Sequence, residues 1–156
     1  MTLVDIPFLP PVDDEPEPIT IALSGPPQGK GRARSFVKGN GRIGTYTPDK
    51  TRTYEGMIRT AAMAEMVGRQ PLAVPVEFVM RAVFAVPASW PEKKRAQAMG
   101  ERIKPGKKPD LDNIAKAWSD ALNGVVFADD AQIVRMVLDK RYGPAPLVVC
   151  TVRALR

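Results

Sequence analysis

The sequence predicts an α/β (α+β) fold, in which a single domain holds one mixed β-sheet flanked by two or three helices. The chain has 156 residues, of which 44% are hydrophobic, and this suits one domain with its own core. Several segments alternate apolar and polar residues as strands do, while others show the apolar spacing of a helix. Breaks rich in Gly and Pro separate these segments.

The start of the chain differs sharply in composition from the segments that follow it. Residues 1–18 contain five prolines and five acidic residues, so we expect an acidic, Pro-rich flexible tail, with residues 19–156 forming the folded domain. Ile19 to Leu23 alternates like a strand. The basic, glycine-punctuated segment from Gln28 to Arg42 fits a loop or a hairpin near solvent.

Apolar spacing and capping signals predict helices over about 48–67, stopped by Gly68, over about 89–99, and over about 112–123. For the first helix, Thr47-Pro48 has the order of an N-cap followed by a first helical residue. Asp112 or Asn113 can cap the third helix. Trp118 falls on the apolar stripe of that helix, so we expect it in the core and not as a base-stacking group.

Further strands are predicted at residues 74–86, 125–127, 132–142 and 147–154. The first of these is long and rich in Val and Phe, as expected of a central strand. The second is short and leads into a turn at 128–131. Cys150 is expected to be buried in the last strand. Because it is the only cysteine, disulfides within the chain and cysteine-based zinc sites are excluded.

The absence of histidine restricts the chemistry that the protein can perform. Imidazole is the usual proton carrier near neutral pH and the commonest ligand of transition metals. Serine triads that contain histidine and zinc-histidine hydrolases are therefore excluded. Any hydrolytic reaction must use carboxylates, lysines, hydroxyls or a hard metal ion.

The charge of the chain points to a polyanionic partner. The formal net charge is +6, but leaving out residues 1–18 leaves 23 basic and 12 acidic residues, a net charge of +11. Such a surplus on a small domain favours nucleic acid as a partner over a merely soluble basic surface. No stretch approaches the roughly 18 apolar residues of a membrane span. Since the first residues also lack the order of a secretory signal, we expect a cytoplasmic protein without membrane contact.

Acidic residues at the ends of predicted elements are candidates for a metal site. Asp110 and Asp112 are two apart, and in an extended segment their side chains would point the same way, with Cα atoms roughly 6 to 7 Å apart. Mg²⁺ and Mn²⁺ prefer such oxygen ligands. Asp129 or Asp130 could complete the set. The alternative is that Asp112 only caps a helix and that Asp129-Asp130 forms a polar turn.

Lys116 strengthens the functional interpretation of these acids. It follows Asp112 by four residues, so both lie on one face of the predicted helix. A lysine beside a carboxylate-bound metal could hold the scissile phosphate or the attacking water. The alternative is a surface ion pair contributing less than about 1 kcal/mol.

An ordered series of motifs resembles the RusA family of crossover-junction endodeoxyribonucleases. Its main part is Lys108-Pro-Asp-Leu-Asp-Asn-Ile-Ala-Lys116, followed by Asp120-Ala-Leu-Asn-Gly-Val-Val-Phe-Ala-Asp-Asp-Ala-Gln132. The remaining motifs agree in order and comprise Gly25-Pro26, Lys30 to Arg34, Tyr46 to Pro48, Thr51, Glu55, Pro87 to Trp90, Lys140 and Tyr142. The series covers about Ile19 to Val152, which makes it far more specific than an isolated Asp-x-Asp.

The resemblance implies a RusA-like, homodimeric fold and a metal-dependent endonuclease that resolves Holliday junctions in recombination and repair. By the same resemblance Asp110, Asp112 and Asp130 are the metal ligands, with Asp129 as a substitute for the third, and Lys116 is the catalytic lysine. Mg²⁺ or Mn²⁺ is the implied cofactor, and branched DNA is the implied partner. Members of this family often come from phages or prophages, so a bacterial or phage origin is expected.

Basic residues near the acidic motifs are candidates for phosphate contacts, which position DNA and carry little sequence information. They are Lys30, Arg32, Arg34, Lys107, Lys108, Lys140 and Arg141. Two other functions stay open from the sequence: a nuclease for other branched DNA, and a basic DNA-binding module that has lost catalysis. The intact acids beside Lys116 argue against the second, because a binder gains nothing from carboxylates held against phosphate.

Overall fold

A computed structural model of the protein describes residues 16–155. Most of the predicted acidic tail therefore lies outside the described residues. The described chain contains the strands β1 (Ile19–Ser24), β2 (Arg34–Val37), β3 (Ile43–Tyr46), β4 (Val76–Ala85), β5 (Ile133–Gly143) and β6 (Leu147–Ala154). The helices are α1 (Asp49–Glu65), α2 (Glu92–Met99) and α3 (Leu111–Leu122). The predicted α/β (α+β) fold with a mixed sheet and three helices is confirmed.

The main sheet has four strands in the order β1-β6-β4-β5. β6 runs antiparallel to both β1 and β4, whereas β5 runs parallel to β4. The predicted central position of β4 is thus confirmed, and β5 forms one edge of the sheet. β2 and β3 form a separate antiparallel hairpin, which begins in the basic segment and continues beyond Arg42 to Tyr46. A hairpin was one of the two forms expected for that segment.

The core lies between the helices and one face of the sheet. Alternate side chains of β4, including Phe78 and Met80, are fully buried there together with Ile58 of α1. The indole of Trp118 on α3 is also buried and donates a 3.1 Å hydrogen bond to the hydroxyl of Tyr54 on α1. Trp118 is therefore a core residue, as predicted, and its bond with Tyr54 joins the two helices that carry the candidate site.

The last strand carries the cysteine of the chain into the same core. Cys150 is buried, as predicted, and this burial raises the pKa of its thiol far above the ordinary value. The thiol is therefore protonated at neutral pH and is not a candidate nucleophile. Among residues 16–155 no helix is long and apolar enough to cross a membrane.

The opposite face of the sheet carries a buried ion-pair cluster. Glu77 of β4 accepts from Arg153 of β6 at 2.9 Å and from Arg135 of β5 at 3.1 Å. Only 6% of Glu77 is exposed, so the two arginines offset the cost of burying its charge. This carboxylate lies away from the helices and offers a control for experiments on the acids of α3.

Two predicted boundaries and one predicted strand are wrong. Pro48 occupies the N-cap position of α1 with ψ 142°. Thr47, which was predicted to be the N-cap, therefore lies one residue before it. α3 begins at Leu111 with Asp110 as its N-cap residue, earlier than expected. Residues 125–127 form a turn in which Phe127 makes isolated bridges, and Val126 and Phe127 of this turn are buried. Its apolar residues serve the core, and the segment is too short for alternation to distinguish a strand from a buried turn.

Candidate active site

A loop after β1 brings Lys30 against the two helices α1 and α3. The backbone N–H of Lys30 donates to the carbonyl of Asn113 at 3.1 Å, which fixes the loop to the first turn of α3. The N–H of Gly31 donates to the hydroxyl of Thr51 on α1 at 2.8 Å. Between these anchors the Lys30 ammonium contacts Glu55 of α1 at 3.0 Å and also contacts Asp120 of α3.

Two glycines lie where this loop approaches its neighbours closely. A Cβ on Gly29 would lie 3.2 Å from the Cβ of Pro109. A Cβ on Gly31 would lie 2.6 Å from the Thr51 hydroxyl, closer than a contact can be without movement of one group. The glycines thus let the backbone lie directly on both helices, and this places the Lys30 side chain.

Gly31→Ala is expected to lower the melting temperature, because the added methyl group must displace either Thr51 or the loop that carries Lys30. Overpacking of this kind costs about 1 to 3 kcal/mol. Gly39→Ala is the matched control, since nothing lies within 4 Å of its added Cβ. Thermal unfolding followed by circular dichroism would measure both variants. Equal melting temperatures would contradict the close packing of the loop.

The exposed face of α3 carries a row of charged side chains. Asp112, Lys116 and Asp120 follow one another at intervals of four residues and therefore share this face. The Lys116 ammonium lies 2.9 Å from a carboxylate oxygen of Asp120 and 3.9 Å from one of Asp130. The predicted catalytic lysine therefore contacts one predicted acid, Asp130, which lies on the turn before β5 and not on α3.

The first two predicted acids lie at the start of α3. Asp110 has extended backbone as the N-cap residue, but its side chain makes no capping hydrogen bond. Leu111 and Asp112 are already helical, so the expectation of a two-residue extended spacing is wrong. Both carboxylates are exposed to solvent next to the positive end of the helix dipole, which favours negative charge. Asp112 is not the cap that the alternative interpretation assumed.

The turn before β5 separates the roles of its two aspartates. The Asp129 carboxylate accepts from the N–H of Ala131 at 2.9 Å, and the side chain of Gln132 accepts from the N–H of Asp129. These two bonds form a capping box around a short 3-10 turn. The hydrogen bond from Ala131, and a second one with Asp130, lower the pKa of Asp129. Asp129 therefore holds the turn, whereas Asp130 is the residue that contacts Lys116.

The donor chemistry of the site fits a hard cation. Asp110, Asp112 and Asp130 supply the carboxylate oxygens that Mg²⁺ and Mn²⁺ prefer. Among residues 16–155, however, no three acidic side chains stand together closely enough to form a ready metal cage. Mg²⁺ usually keeps several waters and needs only one or two protein carboxylates, so an open site of exposed acids is compatible with it.

The electrostatics of the site centre on Asp120 and Lys30. Burial opposes the charge of Asp120, but the hydrogen bonds and charges of Lys30 and Lys116 outweigh it and lower the pKa below the ordinary 3.8. For Lys30, burial opposes the charge too, but Asp120 and Glu55 outweigh it and raise the pKa above 10.5. Asp120 and Lys30 are therefore both charged at neutral pH.

A basic cleft of about 920 Å³ opens beside the first turn of α3. Its lining includes five cationic side chains, Lys30, Arg32, Arg34, Lys50 and Lys108. Asp110 and Asn113 line the same cleft, so phosphate-binding groups and a predicted metal ligand share one space. Four of the predicted DNA-contacting residues thus lie together, and Lys50 joins them from the first turn of α1.

The other predicted DNA-contacting residues are not among those that line the cleft. Lys140 donates to the carbonyl of Lys107 at 2.6 Å, and Arg141 pairs with Asp139 at 3.1 Å and with Glu101 at 3.3 Å. Their contact with DNA stays a prediction. Sequence reasoning assigned no role to Glu55 or Asp120, although Asp120 lies four residues after Lys116 and this spacing could have indicated the pair.

Comparison with known proteins identifies the family. A model of the family described as endodeoxyribonuclease RusA matches residues 24–153. The chain belongs to the RusA endodeoxyribonuclease family. A curated relative, the uncharacterized protein YqaN of Bacillus subtilis strain 168, is 27% identical over 137 residues, which cover 86% of this chain and 95% of that protein. The resemblance deduced from the motifs is confirmed, and an endodeoxyribonuclease activity follows from RusA membership.

Proposed function

We propose that this RusA-family protein resolves Holliday junctions by paired, metal-dependent hydrolysis of phosphodiester bonds in recombination or repair. The observation that carries the proposal is the basic cleft, in which Lys30, Arg32 and Lys108 line the same space as Asp110. Cations of this kind bind the DNA backbone. A carboxylate in such a place opposes phosphate binding unless a cation lies between it and the phosphate, so the presence of Asp110 favours catalysis over mere binding.

Each group of site residues has a separate role in the proposed reaction. Asp110, Asp112 and Asp130 would hold Mg²⁺ or Mn²⁺, with Asp129 kept for the turn. A bound ion would supply an activated water as the nucleophile and would offset charge on the reacting phosphate. Lys116 offers its ammonium to a non-bridging phosphate oxygen. The cleft cations hold the strand on either side of the bond, so that the phosphate is oriented before attack.

The edge of the main sheet supports a homodimer as the working unit. β5 has no neighbour on its outer side within the described chain, and it exposes the apolar side chains Val134, Met136 and Val137. Exposed apolar edge strands are pairing surfaces unless they are protected. A four-way junction has an approximate two-fold axis, so a two-fold dimer would present one site to each of two symmetric strands.

Incubation with a synthetic mobile four-way junction tests this function. We expect paired, symmetric nicks with Mg²⁺ or Mn²⁺ and none with a chelator, while a linear duplex of the same sequence stays intact. A forked duplex and a flapped duplex serve as further substrates. Equal cutting of these would favour a nuclease for branched DNA in general, and tight junction binding without any cutting would favour an inactive binding module.

A further inference from the structure

Asp120 stands at the centre of a continuous series of charges around the site. Its carboxylate contacts Lys116 through one oxygen at 2.9 Å and contacts Lys30 through the other. Lys30 continues the series to Glu55, and Lys116 continues it to Asp130. The series therefore runs from α1 across the basic loop to α3 and on to the turn before β5.

We propose that Asp120 is a positioning residue, which holds the ammonium groups of Lys30 and Lys116 in place for the phosphate group that is to be cut. The proposal rests on the proposed nuclease function. It gives Asp120 no contact with substrate or metal and no share in the chemistry itself. Its effect on cleavage passes through the two lysines.

The burial of the three groups fits this role. The side chain of Asp120 is 21% exposed and that of Lys30 is 28% exposed, whereas the side chain of Lys116 is 55% exposed. The carboxylate thus lies deeper than the lysine that it holds. A bound phosphate would meet Lys116 first, with Asp120 behind it.

Repulsion between the lysines explains why a carboxylate is needed at this place. Each ammonium is in contact with the same small group, so the two positive charges are close neighbours. Without Asp120 they would repel each other, and the flexible Lys116 side chain would turn into solvent. Lys30 would stay more restrained than Lys116, since Glu55 remains as its second partner.

A purely structural role is the competing explanation. On that view Asp120 merely ties the basic loop to α3 through Lys30, and its loss would lower stability without a specific effect on turnover. Glu77 provides the matched control, because it is also a carboxylate shared by two cations, Arg135 and Arg153, but lies on the other face of the sheet.

Asp120→Asn and Glu77→Gln are to be compared with wild type in three measurements. These are the melting temperature, the kcat and KM for junction cleavage, and the rate at which an amine-reactive acetylating reagent modifies Lys30 and Lys116, read by mass spectrometry. For Asp120→Asn we expect kcat to fall about 10- to 100-fold, as for other residues that orient catalytic groups, with KM changed less than about threefold. We also expect faster modification of Lys116, and a smaller increase for Lys30.

The control decides between the two explanations. Glu77→Gln is expected to lower the melting temperature while kcat and the reactivity of both lysines stay at the wild-type level. If Asp120→Asn also lowers only the melting temperature, the positioning role is overturned. Should Asp120→Asn fail to fold, Asp120→Glu keeps the charge but displaces it by one methylene. A lower kcat at the wild-type melting temperature then supports positioning, and a wild-type kcat overturns it.

The lysine modification separates this proposal from the proposed function. If the wild-type protein cuts no branched DNA at all, the nuclease function fails, but the modification rates still report whether Asp120 holds the two lysines. Unchanged rates for Lys30 and Lys116 in Asp120→Asn would overturn the positioning role even in a fully active nuclease.

Discussion

Asp112→Asn is expected to reduce junction cleavage at least about 100-fold while junction binding persists. The amide keeps the size of the carboxylate but removes the negative charge that a hard cation requires. Asp112 is exposed on the first turn of α3, so the substitution removes no core packing. Single-turnover cleavage with excess enzyme, beside an equilibrium binding assay in Ca²⁺, would measure the two effects separately.

Asp49→Asn is the matched control for this prediction. Asp49 is also the acidic residue in the first turn of a helix, α1, and its side chain is almost fully exposed. Both substitutions therefore remove the same favourable interaction with a helix dipole, worth about 0.3 to 1 kcal/mol. Asp49→Asn should leave the cleavage rate unchanged. If Asp112→Asn cleaves at the wild-type rate, Asp112 is not a ligand of the metal.

Lys116→Met is expected to lower the cleavage rate about 100-fold or more, because it removes the cation closest to Asp130. Methionine retains much of the length and apolar stem of lysine, so α3 should stay folded. Junction affinity should fall only slightly, since the cleft cations remain. The same single-turnover and binding assays apply here.

The control for Lys116 is another helical lysine. Lys94 lies on α2, where its ammonium stands 4.0 Å from the centre of the Trp90 ring. Lys94→Met should change cleavage less than about twofold. If Lys116→Met cleaves as fast as Lys94→Met, Lys116 is only a surface ion pair of the kind that contributes less than about 1 kcal/mol.

The sequence predicted the parts of the fold that depend on local patterns. The strand at 147–154 alternates strictly between partly buried and buried side chains, and the strand at 133–143 is rich in Val, Ile and Leu. α3 has a wide apolar stripe that includes Trp118, so the types and approximate bounds of these elements were predictable. The start of α3 was not, because Asp110 and Asp112 are both acceptable near a helix N-terminus and only the backbone angles decide which is the cap.

The site was predictable only as far as its residues lie close together in the chain. Lys116 and Asp112 follow from helical spacing, and the motifs of the RusA family indicated Asp130. The contact between Lys30 and Asp120 spans 90 residues, and the one between Lys30 and Glu55 joins a loop to a helix. No local pattern encodes such contacts. They depend on the packing of α1 against α3 and on the glycines that let the basic loop lie between them.

The pairing of Lys30 also affects how DNA binding should respond to ionic strength. A cation that contacts a phosphate displaces counterions condensed on the DNA, and each such contact adds to the salt dependence of affinity. Lys30 already has two carboxylate partners and is partly buried, so salt screens it little. The exposed arginines of the cleft would therefore set the salt response, whereas Lys30 contributes a fixed local field that persists at high ionic strength.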